Sequence, residues 1–599
     1  MLARVGAGVG LIVLCAISIF RVARPPAPVA ATAPDTVFSA ERALHHVEEI
    51  AQRPHPMGTP DHDRVRDYIV AQLTALGLHP QAQVATGIGT RYQESGRVQN
   101  ILARLPGSDT KGKAVLLSAH YDGVGAGPSA SDDGAGCAAL LETLRALRAR
   151  KQPLAHDVIA LFTDGEEAGL LGAAAFVREH PWAKDVAIAL NFEARGTSGR
   201  SYMFETGPGN QDAVSALRAA RDVTAGSVFT TVYRALPNDT DLSELALLGL
   251  PALNFAFTDG VERYHTSRDD VAHLNPGSLQ HHGLQMLALT ETLANGPLPR
   301  PQTGDAVFFD LPSIGMVIYP MWLALPLAIV ALVLAVIVVA PMRRGILAGV
   351  VAIVMTVAIA GLLARFVQLG GAARWSGVYA AALALAMLAV NAASYSFARR
   401  RWPDLHAGVL VAWLLLALAT SAVAPGASYL FTWPLLFALV AARSRHPIAE
   451  WVAAAVTIIL LAGPVFSVAA VMFGVAGAGA VVLAVFTSLI AWLLAPILDR
   501  VAGDARWSGA SWLVAASAVV AVIGVLTVKQ NADHPSRSAL VYAENADNTD
   551  AWLGAFGAKD SWTRSAIGAA TRGPAWTSLL GESSSPLTGR QVARIPLDA

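Results

Sequence analysis

The sequence runs to 599 residues, more than one ordinary domain holds, with 54% hydrophobic and 15% charged residues. A mean hydropathy of +0.46 excludes a purely soluble protein, and a formal net charge of zero supplies no global field for nucleic acid or an acidic partner. Two cysteines, Cys15 in an apolar N-terminal run and Cys137 in a core-type helix, exclude a cysteine-based metal site and argue against a structural disulfide.

Taken in chain order, Val5 to Phe20 is an apolar run between Arg4 and Arg21. It is short for a spanning helix, which needs roughly 17–25 residues, and long for a signal-peptide core. It reads as a signal anchor, with a cleaved signal peptide as the alternative, and either places the next domain outside the cytoplasm. Pro25 to Pro34 is a stiff Pro/Ala linker, so residues 1–34 form an anchor and linker.

Residues 35–300 have nearly ordinary globular composition and alternate between helix and strand signals. Ala40 to Gln52 is an amphipathic helix, the prolines of 53–60 mark a loop, and Arg64 to Leu76 carries apolar residues at helical spacing. Strands are expected at Val98 to Leu105, Ala114 to Ala119, Val158 to Phe162, Val186 to Phe192 and Ala252 to Phe257, with helices at Cys137 to Leu147, Asp212 to Val223 and after Pro276. This alternation predicts an α/β layered domain.

Residues 313–528 form a train of apolar runs at about 316–340, 345–363, 376–397, 408–423, 428–441, 451–472, 475–494 and 510–528. The clear ones approach the roughly 20 residues a helix needs to cross hydrocarbon. Arg343-Arg344, Arg399 to Arg401, Arg443 with Arg445, and Arg500 with Arg506 fall in every second loop. The positive-inside rule assigns those loops to the cytoplasm, which leaves the α/β domain and the C-terminal region outside it. The spans hold almost no ionisable residues in their middles, which favours an anchor or packing scaffold over a transport path. Residues 529–599, polar and with tryptophans at 552, 562 and 576, are expected to form a small extracytoplasmic β unit.

The chemistry concentrates where apolar strands stop at charges. His120-Tyr121-Asp122 ends one run, Asp164-Gly165-Glu166-Glu167 another, and Glu193 a third. Ligands gather at the carboxyl ends of strands in open α/β sheets, so three such endings can share one crevice. On an extended segment His120 and Asp122 point the same way, so His120 can bind a metal while Asp122 orients the imidazole; a strand-end His bonded to a loop Asp is the bland alternative. Ser131-Asp132-Asp133-Gly134 opens a helix, where its carboxylates could simply complement the dipole or bridge two cations. Glu166 and Glu167 cannot point the same way, so one can ligate while the other takes a proton from water. A His, Asp and Glu set without cysteine suits a hydrolytic metal site.

The order H-x-D, D-D-G, E-E, E, H closely resembles the M28 family of zinc aminopeptidases over residues 53 to 295. Arg53-Pro54-His55-Pro56-Met57-Gly58, Val65 to Ile69, Asn100 to Gly107 and Asn191 to Gly196 add to the likeness. With the apolar train and tail, the chain looks like the membrane-bound branch related to the endoplasmic reticulum metallopeptidases. The resemblance implies an α/β/α sandwich with a mixed central sheet and two Zn²⁺ per chain. His120, Asp132 and Glu193 would hold one ion, and Asp132, Glu167 and His265 the other. Glu166 would be the general base, with Asp122 supporting His120. Glu193 departs from the Asp of many soluble members. Arg195, Asp241 and Tyr264 would shape a pocket for a peptide substrate, with a helix-capping turn as the alternative for Asp241. A membrane-bound aminopeptidase is the reading; a single-zinc enzyme like glutaminyl cyclase, or an inactive receptor-like module, are the alternatives.

Overall fold

The computed structural model describes residues 2–502 except 93, 110–111, 151, 221, 237, 302–303, 312–314, 370–376, 403, 445 and 477; beyond these it describes 538–544, 551–557, 565 and 591–595. The elements begin with α1 (Leu2–Ala23), α2 (Ala40–Ile50), α3 (Pro60–Ala75), β1 (Gln81–Ile88), β2 (Ser95–Leu105), β3 (Ala114–His120), α4 (Gly134–Arg148), β4 (Asp157–Thr163) and α5 (Leu171–Glu179). They continue with β5 (Val186–Ala194), β6 (Ser198–Thr206), α6 (Gln211–Ala216), α7 (Ser227–Tyr233), α8 (Asp241–Leu245), β7 (Ala252–Asp259), α9 (Pro276–Asn295), β8 (Ala306–Leu311) and β9 (Gly315–Pro320).

Seven strands form one mixed sheet in the order β1-β2-β4-β3-β5-β7-β6. The inner strands β4, β3, β5 and β7 run parallel, so their carboxyl ends share one edge. β3 is buried along its whole length because it faces a helical layer on each side. Val115, Leu117 and Ala119 pack with residues of α2, α3, α4 and α9, whereas Ala114 and Leu116 pack with α5 and α8. A strand covered on both faces reads as a continuous apolar run, which is why β3, β4 and β5 were legible as strands. Edge strand β1 alternates exposed and half-buried residues and carries no such run.

Helix starts follow local chemistry. Ser39 accepts the amide of Arg42 at α2, Thr59 that of His62 ahead of Pro60 at α3, and Asn275 that of Gly277 beside Pro276 at α9.

An apolar bundle follows: α10 (Ala324–Val339), α11 (Ile346–Leu369), α12 (Gly377–Arg401), α13 (Leu405–Val423), α14 (Tyr429–Ser444), α15 (Pro447–Ala476), α16 (Gly479–Leu493) and α17 (Ala495–Ala502). Four stretches, Met321–Arg365, Tyr379–Arg400, Leu405–Val423 and Pro447–Phe473, are long and apolar enough to cross a membrane, and α14 and α16 are shorter apolar helices. The first stretch contains both α10 and α11, parted at Met342, whose φ of −107° and ψ of 21° are non-helical. The apolar run expected to begin at 316 starts instead as β9, paired antiparallel with β8; its alternating Met316, Ile318 and Val317, Tyr319 pack on two different clusters. The run at 510–528 lies outside the described residues, as do Trp562 and Trp576.

The described residues fall in two compact units, the first holding α1 to α17 and β1 to β9. The second holds a three-stranded antiparallel sheet of β10 (Ser538–Glu544), β11 (Ala551–Gly557) and β12 (Gln591–Ile595). Within the first unit the sheet domain is seated on the bundle. Ser227 Oγ donates to the Gly426 carbonyl at 2.6 Å, Tyr202 and Ser467 hydroxyls meet at 2.8 Å, and Phe309 stacks on Tyr429 at 4.4 Å.

Candidate metal centre

The four parallel strand ends present the site. His120 is the last residue of β3, Glu193 lies near the end of β5, and Glu166-Glu167 follow β4 through Gly165, whose φ of +69° only glycine adopts freely. His265 sits in the loop after β7 with φ +58°, a left-handed backbone that costs a non-glycine residue energy and so marks a constrained position. Asp132 lies in the turn that opens α4.

These five side chains converge. His120 Nε2 stands 3.4 Å from Asp132 Oδ1 and 3.5 Å from Glu193 Oε2. His265 Nε2 stands 3.0 Å from Asp132 Oδ2 and 2.8 Å from Glu167 Oε1. Asp132 therefore turns one carboxylate oxygen to each imidazole. His120, Asp132, Asp133 and Glu193 are almost wholly buried.

Asp133 is also close enough to join His120 and Glu193 in a donor group. Its two oxygens are engaged elsewhere, Oδ1 by the Gly136 amide at 3.1 Å and Oδ2 by the His120 amide at 3.2 Å. It caps α4 and ties that helix to β3, which leaves Asp132 as the freer donor.

The supporting contacts are specific. His120 Nδ1 lies 2.9 Å from the backbone oxygen of Asp122, while the Asp122 carboxylate is 3.6 Å away. That carboxylate accepts the amides of Glu166 and Glu167. The main chain and the carboxylate of Asp122 both face the imidazole, and the carboxylate also shapes the glutamate turn.

Asp269 carries a role that spacing did not reveal. It accepts the amide of Ser131 at 2.8 Å and that of Asp132 at 3.1 Å, fixing the turn that aims Asp132. Its only sequence signal is membership of the polar loop that contains His265.

Of the expected pocket residues, Arg195 lies over the Tyr264 ring at 5.6 Å, and Tyr264 stacks on His265 at 3.7 Å. Asp241 is fully buried, bonded to the Thr163 hydroxyl, and has Glu193 and His120 among its charged neighbours. Thr240, not Asp241, caps α8, its side chain accepting the Leu242 amide.

Electrostatics and donor chemistry both fit divalent cations. Burial raises Glu166 well above the usual carboxylate range; His120 opposes the rise and Glu193 and Glu167 add to it. Burial and Asp132 push Glu167 up to about 7, against the pull of His265. Burial and Glu193 push Asp241 to about 7. Crowded buried carboxylates of this kind lack counter-charge, which bound cations would supply. The His120 Nε2 atom is buried and makes no hydrogen bond. Two ligands each about 2.0–2.1 Å from one tetrahedral zinc stand about 3.4 Å apart, matching the His120 separations.

Comparison with known proteins places these residues in context. Residues 100–290 match the profile of Peptidase family M28. Endoplasmic reticulum metallopeptidase 1 of Mus musculus is 34% identical over 309 residues, covering 47% of this chain and 34% of its own length. A vacuolar membrane protease of Candida albicans is 34% identical over 242 residues, covering 39% of this chain and 28% of its own. The chain thus spans about a third of the length of these relatives. The solved aminopeptidase from Aneurinibacillus sp. strain AM-1 superposes with a TM-score of 0.36 at 14% identity, covering 45% of this chain and 98% of its own.

Proposed function

We propose, from the premise that residues 100–290 are a peptidase family M28 domain, that the chain is a membrane-bound zinc-dependent aminopeptidase. One observation carries the reading: Asp132 offers separate oxygens to His120 and His265, each of which has a second carboxylate beside it. In this proposal His120, Asp132 and Glu193 hold one zinc ion, and Asp132, Glu167 and His265 hold a second. Zinc bound there would supply Lewis acidity toward the scissile carbonyl and acidify water.

The remaining steps belong to side chains. Glu166, kept out of both donor groups, takes a proton from the attacking water as its oxygen bonds the carbonyl carbon. Glu166 then passes that proton to the leaving amine as the C–N bond breaks. Arg195 and Tyr264 border the substrate.

The apolar helices would cross the membrane with the Arg343-Arg344 and Arg399 to Arg401 turns in the cytoplasm, leaving the α/β domain on the opposite side. The names of the relatives are consistent with a membrane setting.

The test is digestion of a peptide library by detergent-purified full chain, with and without chelator, alongside Glu166→Gln. Loss of single N-terminal residues, abolished by chelator and by E166Q at normal zinc content, is the expected result. Retained activity in E166Q removes that residue from the role, and about one zinc per chain moves the reading toward a single-zinc enzyme.

A further inference from the structure

We propose that α15 forms one wall of the specificity pocket, so that the favoured substrates carry a bulky apolar N-terminal residue inserted between the α/β domain and the bundle. The inference rests on the aminopeptidase reading and adds a substrate class to it.

A cleft between the sheet domain and the bundle is lined by residues of both. Its mouth is polar: Arg195 is there, lying over the Tyr264 ring that stacks on His265, and Tyr233, which has Glu193 among its charged neighbours. Its depth is apolar, with Phe229 and Val232 on the α7 side and Val468 and Val471 on α15. The wall is fixed in place, because Ser467 on α15 meets the Tyr202 hydroxyl of β6 at 2.8 Å. A second apolar cleft shares Val232, Leu236 and Val468 with the first and continues between α7, α14, α15 and α16. Through Arg195 and Tyr264 the metal centre therefore borders apolar surface supplied by both parts of the chain. Among the residues that line the first cleft Arg195 alone is charged. A long aliphatic or aromatic side chain fits this gradient; a charged one would lose its hydration there without a partner.

The experiment compares kcat/KM for phenylalanyl, leucyl and alanyl 4-nitroanilides in the detergent-purified full chain and in Val468→Trp and Val471→Trp. Val452→Trp, on an exposed part of the same helix, is the control. A second measurement maps crosslinks from a peptide bearing photo-leucine at its N-terminus. The expected result is a fall of roughly ten-fold or more in the phenylalanyl-to-alanyl ratio in the pocket variants, no change in the control, and crosslinks within 464–472. An unchanged ratio in both pocket variants, or crosslinks confined to the α/β domain, overturns the inference. Crosslinks on α15 in a protein that cuts nothing uphold the pocket and sink the peptidase reading. Cleavage with crosslinks elsewhere does the reverse.

Discussion

The carboxylate of Asp122 receives the backbone amide of Glu166 at 3.0 Å, and its second oxygen receives that of Glu167 at 3.2 Å. One buried side chain therefore fixes where Glu166 and Glu167 begin. An asparagine keeps one acceptor and turns N–H groups toward the other amide. Asp122→Asn is expected to lower kcat about a hundred-fold, the scale of a displacement near 1 Å, while most zinc is kept because His120 still leans on the main chain of residue 122. Kinetics and zinc content on the same sample check this; a kcat loss that merely tracks zinc loss would return the carboxylate to the imidazole.

Asp269 holds the turn that aims Asp132, accepting the amides of Ser131 and Asp132. Removing it orphans two buried donors at about 1–3 kcal/mol each. Asp269→Ala should lower the unfolding midpoint and weaken zinc binding about 10- to 100-fold, as losses of such outer contacts do. Zinc retention against a graded chelator series measures it, and wild-type retention would refute the role.

Because Asp132 faces both imidazoles, its loss should differ in kind from the loss of either one. Asp132→Ala is expected to retain almost no zinc, whereas His265→Ala should keep about one ion per chain, since His120 and Glu193 stay together. Elemental analysis after gel filtration distinguishes them. Equal losses in the two variants would argue against a shared carboxylate.

Much of this arrangement was legible because buried parallel strands announce themselves. The runs of β3, β4 and β5 are mostly apolar, with Ser118 and Asn191 as neutral exceptions, and end at His120, ahead of the Glu166 turn and near Glu193. Burial on both faces keeps charges out of the strand middles, so the charged residues at or just past the strand ends mark the crevice. Asp269 was not legible, because it acts on backbone amides and leaves no spacing pattern. The further role of the Asp122 carboxylate, on the amides of Glu166 and Glu167, was hidden for the same reason. Strand β9 was misread as the start of a span, since an apolar hairpin strand resting between two clusters resembles the end of a helix in composition. Thr240, hidden among the Asx residues around it, illustrates how several candidate caps in succession leave the choice to tertiary contacts such as the Asn254 amide that donates to its hydroxyl.

Packing between α9 and the segment before α2 leaves no space at Gly283. A Cβ built there would lie 1.9 Å from Cζ of the fully buried Phe38. Gly283→Ala should destabilise the α/β domain by about 1–3 kcal/mol through overpacking. Phe38→Leu in the same chain should recover part of that loss, measured by unfolding midpoint. Full stability in the single variant would mean the ring moves freely.

Helix α1 is joined to the fold by contacts that cleavage would remove. Gly463 lets it approach α15, since a Cβ there would sit 3.0 Å from Val22 and 3.2 Å from the Ser18 carbonyl. The Tyr202 hydroxyl donates to the Val22 carbonyl, and Arg21 pairs with Asp310 at 3.5 Å and with Asp222 at 3.8 Å. Residues 2–23 are therefore expected to persist in the mature protein, which intact mass would show; a product starting after residue 23 would contradict it. The ion pair adds a pH signature. Burial lifts Asp310 to about 6, with Arg21 and Arg200 opposing the rise. A carboxyl raised in the folded state stabilises fully below its unfolded value, near 3.9, and loses that contribution as pH climbs through the folded one. Arg21→Ala withdraws a compensating charge from the ionised form, so its defect should be small at pH 5 and larger at pH 8. Midpoints at the two values decide the matter: an equal loss at both would assign Arg21 to packing instead of to the charge of Asp310.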